Sequence, residues 1–328
     1  MIVHFILAVT LACFACASVW AADADTKMYR IGLLESMSPS DPDVTRLREE
    51  LWSGLHELGY IRGKNLIVEA VYAEGRYERF PDLAKELVAR RVDLIVVTTT
   101  PAGLAAKAAT NTVPILFPMA IDPVGTGLVA SLSRPGGNAT GISMVSVELS
   151  GKRLALLKEL NPRLSQLGVL LNPTNAGNAR ILADTEEVAR RFGIVVKSHP
   201  VKTLADIPTA LAIIARQRLD ALLILPDPLT FDRRAEICRF ARDARLPVSS
   251  ASKEWVSAGC LMSYGSDYGE AWRRAAVYAD KILKGANPGD LPVEQVTNLG
   301  LVINMKTARA LRLKIPSSLL IQAQQTIE

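Results

Sequence analysis

Five short segments carry the residues whose types could do chemistry: "ESMSPSD" (35–41), "TTTPAG" (98–103), "AIDPVGTG" (120–127), "NPTNAGN" (172–178) and "PDPLTFD" (226–232). Their side chains are hydroxyls, amides and a few carboxylates, set among the Gly and Pro of turns. Such groups hold a small polar molecule by hydrogen bonds, with a carboxylate available for a cationic group. Bond-breaking chemistry asks for more, and no G-x-S-x-G elbow, phosphate loop G-x-x-x-x-G-K-[ST] or H-E-x-x-H is present. "GTGLVA" (125–130) fits G-x-G-x-x-G/A, but residues 121–124 separate it from the preceding strand and Glu148 lies beyond the next strand end, so it is not read as a dinucleotide site. Beyond the first 26 residues the chain has two histidines, His56 and His199, and two cysteines, Cys238 and Cys260. That is too little raw material for a His/Cys metal site, and no catalytic residue, metal or cofactor is expected.

The elements that must position these segments alternate between apolar strand-like runs and amphipathic helical stretches from Met28 onward. Strands are expected at 29–35, 65–73, 93–100, 114–120 and 139–143, with helices at 43–59, 77–90 and 102–109. Asp122 and Pro123 are expected to cap a further helix beginning near Val124. After a helix at 149–160 the pattern restarts, with strands at 166–172, 193–199, 220–227 and 246–250, then a helix at 268–284. The reading is an α/β protein of two successive open units with parallel sheets built by right-handed crossovers. All five segments then lie at carboxyl ends of strands, where open parallel sheets bind ligands.

Composition narrows the function further. The 328 residues carry 38 Lys and Arg against 33 Asp and Glu, a net charge of +5, but the basic residues are spread along helices and form no arm or aromatic-interleaved patch. Nucleic acid is therefore not an expected partner. Residues 2–17 form an apolar run, followed by Val19 and Ala21 at the positions that a leader peptidase reads, so export with cleavage after Ala21 is expected. Neither Cys13 nor Cys16 has Leu three residues before it, which argues against a lipid anchor at either. Cys238 and Cys260 both sit in apolar patterns and are expected as two buried thiols rather than a bridge.

The segment "DPVGTGLVASLSRPGGNATGIS" (122–143) is close to a D-P-V-G-x-x-L-V…P-G-G-N-x-T-G pattern. With "ILKGANPGDLPVEQ" and "LVINMKTARALRLKIPSSLL", it makes the chain resemble ABC-transporter substrate-binding proteins of the group that includes tryptophan-binding lipoproteins. The resemblance covers nearly all of the chain beyond the leader. It implies the type I periplasmic-binding fold, in which two Rossmann-like lobes are joined by a three-strand hinge. Lobe 1 would comprise residues 28–144 plus 262–298, and lobe 2 residues 145–261 plus 299–328, after a signal peptide over 1–21.

Carried over by position, the resemblance places Ser36, Ser38, Thr99, Thr100, Asp122, Asn172, Thr174, Asp227, Ser252, Glu254 and Tyr264 toward the cleft between the lobes. For an amino-acid-like ligand, the hydroxyls and helix-start amides near Thr99 suit a carboxylate, and Asp227 or Glu254 suits an ammonium. The implied function is capture of a small polar solute by a monomeric periplasmic receptor that delivers it to an ABC permease in the inner membrane. An exported α/β hydrolase acting on a small molecule is the competing reading.

Overall fold

The computed structural model describes residues 27–37 and 41–328, so the expected leader and Ser38 lie outside the described residues. The first unit runs β1 (Tyr29–Glu35), α1 (Pro42–Glu57), β2 (Leu66–Tyr72), α2 (Phe80–Ala89), β3 (Leu94–Val97), α3 (Thr100–Ala109), β4 (Ile115–Ile121) and β5 (Ala139–Met144). The second runs α4 (Ser150–Leu160), β6 (Gln166–Leu171), α5 (Ala176–Arg191), β7 (Val195–Pro200), α6 (Asp206–Ala215) and β8 (Ala221–Ile224). It continues through α7 (Pro228–Asp232), α8 (Arg234–Asp243), β9 (Val248–Ser250), α9 (Lys253–Ser257) and β10 (Met262–Ser266). The last stretch is α10 (Tyr268–Leu283), β11 (Glu294–Gln295), β12 (Leu299–Asn304), α11 (Met305–Ala310), α12 (Ser317–Gln322) and β13 (Ala323–Ile327).

Two sheets result, in the orders β11-β5-β4-β3-β1-β2 and β13-β12-β10-β9-β8-β6-β7. The named pairings are parallel except β10 with β12, which is antiparallel. Central strands such as β3 (LIVV) and β8 (ALLI) are buried at every position, because helices cover both faces of a parallel sheet. Helix α1 shows the matching helical pattern: Leu47, Leu51 and Leu55 recur at four-residue spacing and are buried against the sheet. Its start is set by Asp41, whose carboxylate accepts the N–H groups of Asp43 and Val44 beside Pro42.

The chain passes between the sheets three times, after β5, after β10 and after β11. The middle passage differs from the expected one at residue 262. Residues Met262–Ser266 stay in the second sheet, held parallel to β9 and antiparallel to β12. Only from Asp267, which caps α10, does the chain return to pack α10 beside α1 on the first sheet. The tail is not a third unit, since β13 pairs with β12 at the edge of the second sheet.

No helix forms after Asp122. Residues 122–130 instead make consecutive turns, with Thr126 N–H donating to Asp122 O and Val129 N–H to Pro123 O. Leu128 and Val129 anchor the segment in the core, and Lys107 Nζ donates to the carbonyls of Gly127 and Leu128. Further along, Gly141 has φ +153°, and a Cβ there would lie 2.1 Å from the Phe117 carbonyl of β4. The Gly- and Pro-rich motif is thus a structural brace for β4 and β5.

Cys238 and Cys260 are joined as a disulfide, not held as two thiols. Packing of α8 against the turn that follows α9 brings their Cα atoms to 4.7 Å, although 22 residues separate them in sequence. No helix among the described residues is long and apolar enough to cross a membrane.

Candidate functional site

The carboxyl ends of β1, β3 and β4 face those of β6 and β8 across a cleft with a cavity volume of about 110 Å³. Two kinds of surface line it. One is built from Ser36, Thr98, Thr99 and Thr100 of the first sheet and Asn175 and Asp227 of the second. The other is walled by Val44 and Leu47 of α1, Met119 and Ile121 of β4, Met144, and Tyr268 and Trp272 of α10. Phe231 and Trp255 add aromatic surface from the second unit.

On the polar surface the hydroxyls form a connected group. Ser36 Oγ donates to Thr99 Oγ1 and shares a hydrogen bond with Thr98 Oγ1, both at 3.3 Å. Thr99 caps α3 by accepting the Ala102 N–H at 3.2 Å. Thr100 Oγ1 accepts the Ile121 N–H and donates to the Ile121 carbonyl, locking α3 to β4. Hydroxyl donors beside the start of a ten-residue helix favour an anionic group.

Asp227 stands opposite, buried between two prolines at the end of β8 and capping α7. Its Oδ1 accepts from Tyr77 Oη at 3.1 Å, Asn172 Nδ2 at 3.2 Å and Leu229 N at 3.0 Å. Oδ2 accepts from Asn175 Nδ2 at 3.0 Å and keeps a lone pair for a further donor. Burial pushes the carboxyl up to about 6, and the donors from Asn175, Leu229, Asn172 and Tyr77 pull the other way. A cationic ligand group would supply the charge that this site lacks.

The remaining sequence candidates take other positions. Asn172 is fully buried behind Asp227, where its Oδ1 accepts from Thr174 N and Thr174 Oγ1, so both orient the carboxylate from outside the lining. Asp122 has φ +43°, accepts the Gly125 N–H, and pairs with Arg180 of α5 at 2.7 Å. Glu254 is buried and pairs with Arg46 of α1 at 2.8 Å. Ser252 lines a separate small polar hollow with Ser263 and Gln324. Tyr264 lies on β10 away from the cleft, under the Lys152 ammonium at 6.0 Å. Among the described residues, no three His, Cys, Asp or Glu group so as to hold a metal ion.

Several of these contacts hold the two units together. Arg46 with Glu254, Arg180 with Asp122, and Arg234 with Asp41 and Asp43 all pair across the cleft. Gly177, in the first turn of α5, lies against Ile121, and a Cβ there would stand 2.6 Å from the Ile121 Cβ. The cleft is in a closed arrangement.

Sequence reasoning missed Glu35, Thr98, Asn175, Tyr268 and Trp272 as lining residues. Tyr268 and Trp272 stand four apart on α10, a spacing that marks one helix face but reads equally well as core.

Known proteins share this architecture. A family model described as ABC transporter substrate binding protein matches residues 39–327. A tyrosine-binding protein of Clostridioides difficile (strain R20291) is 29% identical over 287 residues, 87% of this chain and 81% of that one. The crystal structure of a conserved domain protein from Vibrio cholerae O1 biovar El Tor strain N16961 superposes with a TM-score of 0.85 at 31% identity, covering 92% of this chain and 100% of that one. An ABC domain from Streptococcus pneumonia in complex with L-Trp superposes with a TM-score of 0.83 at 26% identity, over the same shares.

Proposed function

Because the chain belongs to the ABC transporter substrate binding protein family, a ligand-binding component rather than a catalyst, we propose that it captures an α-amino acid with an aromatic side chain and presents it to the permease of an importer. The observation that carries this reading is the division of the cleft. Asp227 and the Ser36, Thr98 and Thr99 hydroxyls supply its polar lining, and residues of α1, β4 and α10 supply an apolar slot. The ammonium donates to Asp227, the carboxylate accepts from the hydroxyls at the start of α3, and the ring fills the slot against Tyr268, Trp272 and Trp255. The relatives that bind tyrosine and L-Trp support the same class of ligand.

The protein acts outside the cytoplasm as a monomer, released from its leader after Ala21. The buried Cys238–Cys260 disulfide supports an oxidising compartment. Thermal unfolding in the presence of each proteinogenic amino acid, with chromatography of the ligand afterwards, tests this function. Stabilisation by aromatic amino acids recovered intact is the expected result. Consumption of the ligand would favour a hydrolase, and stabilisation only by sugars or anions would overturn the amino-acid assignment.

A further inference from the structure

Glu35, the last residue of β1, is a carboxylate lining the same cleft as Val44, Leu47, Met119, Tyr268 and Trp272; Asp227 and Asp232 of the second unit also line it. It is 3% exposed, and behind it Arg48 of α1 brings Nε to 2.8 Å from Oε1. That approach is off the hydrogen-bond axis: Glu35 Oε1 and Arg48 Nε and Nη2 are all buried with no aligned hydrogen-bond partner. A buried polar group left in this condition costs free energy, and its hydrogen-bonding capacity is open to a ligand.

We infer that Glu35 reads the far end of the ligand's ring, accepting a hydrogen bond from a ring O–H or N–H, while Arg48 positions it. The inference rests on the aromatic amino-acid reading of the cleft and adds a selection rule to it. Tyrosine and tryptophan carry such a donor, whereas phenylalanine and aliphatic side chains do not. Binding of phenylalanine would bury the carboxylate with nothing to satisfy it. Burial has already pushed the Glu35 carboxyl up to about 7 against the pull of Arg48. In either protonation state it keeps an acceptor oxygen, so the rule does not depend on its charge.

Calorimetric titration of the full chain with L-tyrosine, L-tryptophan and L-phenylalanine tests this inference. Wild-type protein is expected to bind the first two about 100-fold more tightly than the third, since a site built for a ligand donor rejects the analogue that lacks it. Glu35→Leu combined with Arg48→Met removes both members of the buried pair without stranding a charge. It is expected to weaken tyrosine and tryptophan and bring all three within about fivefold of one another. The wild-type comparison stands whether or not that variant folds. Equal affinity of wild type for phenylalanine and tyrosine would overturn the role of Glu35 and leave the aromatic reading intact. Binding of none of the three would overturn both.

Discussion

The Tyr77 hydroxyl donates to Asp227 Oδ1 at 3.1 Å, a hydrogen bond that runs from the first sheet's side of the cleft to the second's. It joins the closing of the units to the carboxylate assigned to the ligand's ammonium.

Asp227→Ala is expected to weaken binding of an aromatic amino acid about 30-fold to 1000-fold, through loss of a charge-assisted hydrogen bond in a closed cleft. The same carboxylate supports the fold, because without it Asn172, Asn175, Tyr77 and the Leu229 N–H would all lose their acceptor. Urea unfolding of the ligand-free variant at pH 7 should show a loss of about 1–3 kcal/mol. Unchanged affinity would remove Asp227 from the site.

The same residue sets a pH dependence. Its folded pKa, about 6, lies above the ordinary 3.8, so its contribution to stability is fully present below pH 3.8 and is lost as pH rises through 6. Relative to Asp227→Ala, ligand-free wild type should therefore be more stable at pH 4 than at pH 7, by about 2 kcal/mol. Binding runs in the opposite direction, because the ammonium needs the ionised carboxylate. Affinity should fall about tenfold per pH unit on going below pH 6. Calorimetry across pH 4–8 checks the second effect, and a flat profile would count against Asp227 as the ammonium's partner.

Gly177→Leu should hold the cleft open, since even a Cβ at that position would meet Ile121 at 2.6 Å. Small-angle scattering of the wild type should show a smaller radius of gyration with ligand than without, and the variant should show no contraction. The variant should also bind at least about tenfold more weakly. Contraction equal to that of the wild type would show that closure does not pass through this contact.

The disulfide between Cys238 and Cys260 closes a loop that contains Glu254 and the cleft-lining Trp255. Replacing both cysteines by serine should lower the free energy of unfolding by about 3 kcal/mol, measured by urea denaturation. An unchanged midpoint would mean that packing of α8 and α9 alone maintains this wall.

The strands were legible in the sequence because helix-covered parallel strands read as short, uninterrupted apolar runs, as in "LIVV" and "ALLI". Their loops were legible for the same reason, and four of the five chemistry-bearing segments contribute to the cleft lining through Ser36, Thr98, Asn175 and Asp227, with Ile121 from the fifth. The stretch after Asp122 misled because Leu128 and Val129 look like a helix face, whereas Gly125 and Gly127 permit turns. The middle passage between the units was misplaced because β10 is short and rich in Gly and Ser, and its pairing with β9 and, at long range, with β12 is what makes it a strand of the second sheet. The slot was invisible for a different reason. Its walls are ordinary core residues of α1, β4 and α10, and a cavity between them is a property of packing that no single segment records.

Calorimetric titration of the ligand-free protein with L-tyrosine and L-tryptophan, set against L-leucine, L-glutamate and ribose, tests the central claim most directly. The division of the cleft predicts saturable one-to-one binding of the two aromatic amino acids and at least about tenfold weaker binding of the other three solutes. Tighter binding of ribose or glutamate than of either aromatic amino acid would contradict it.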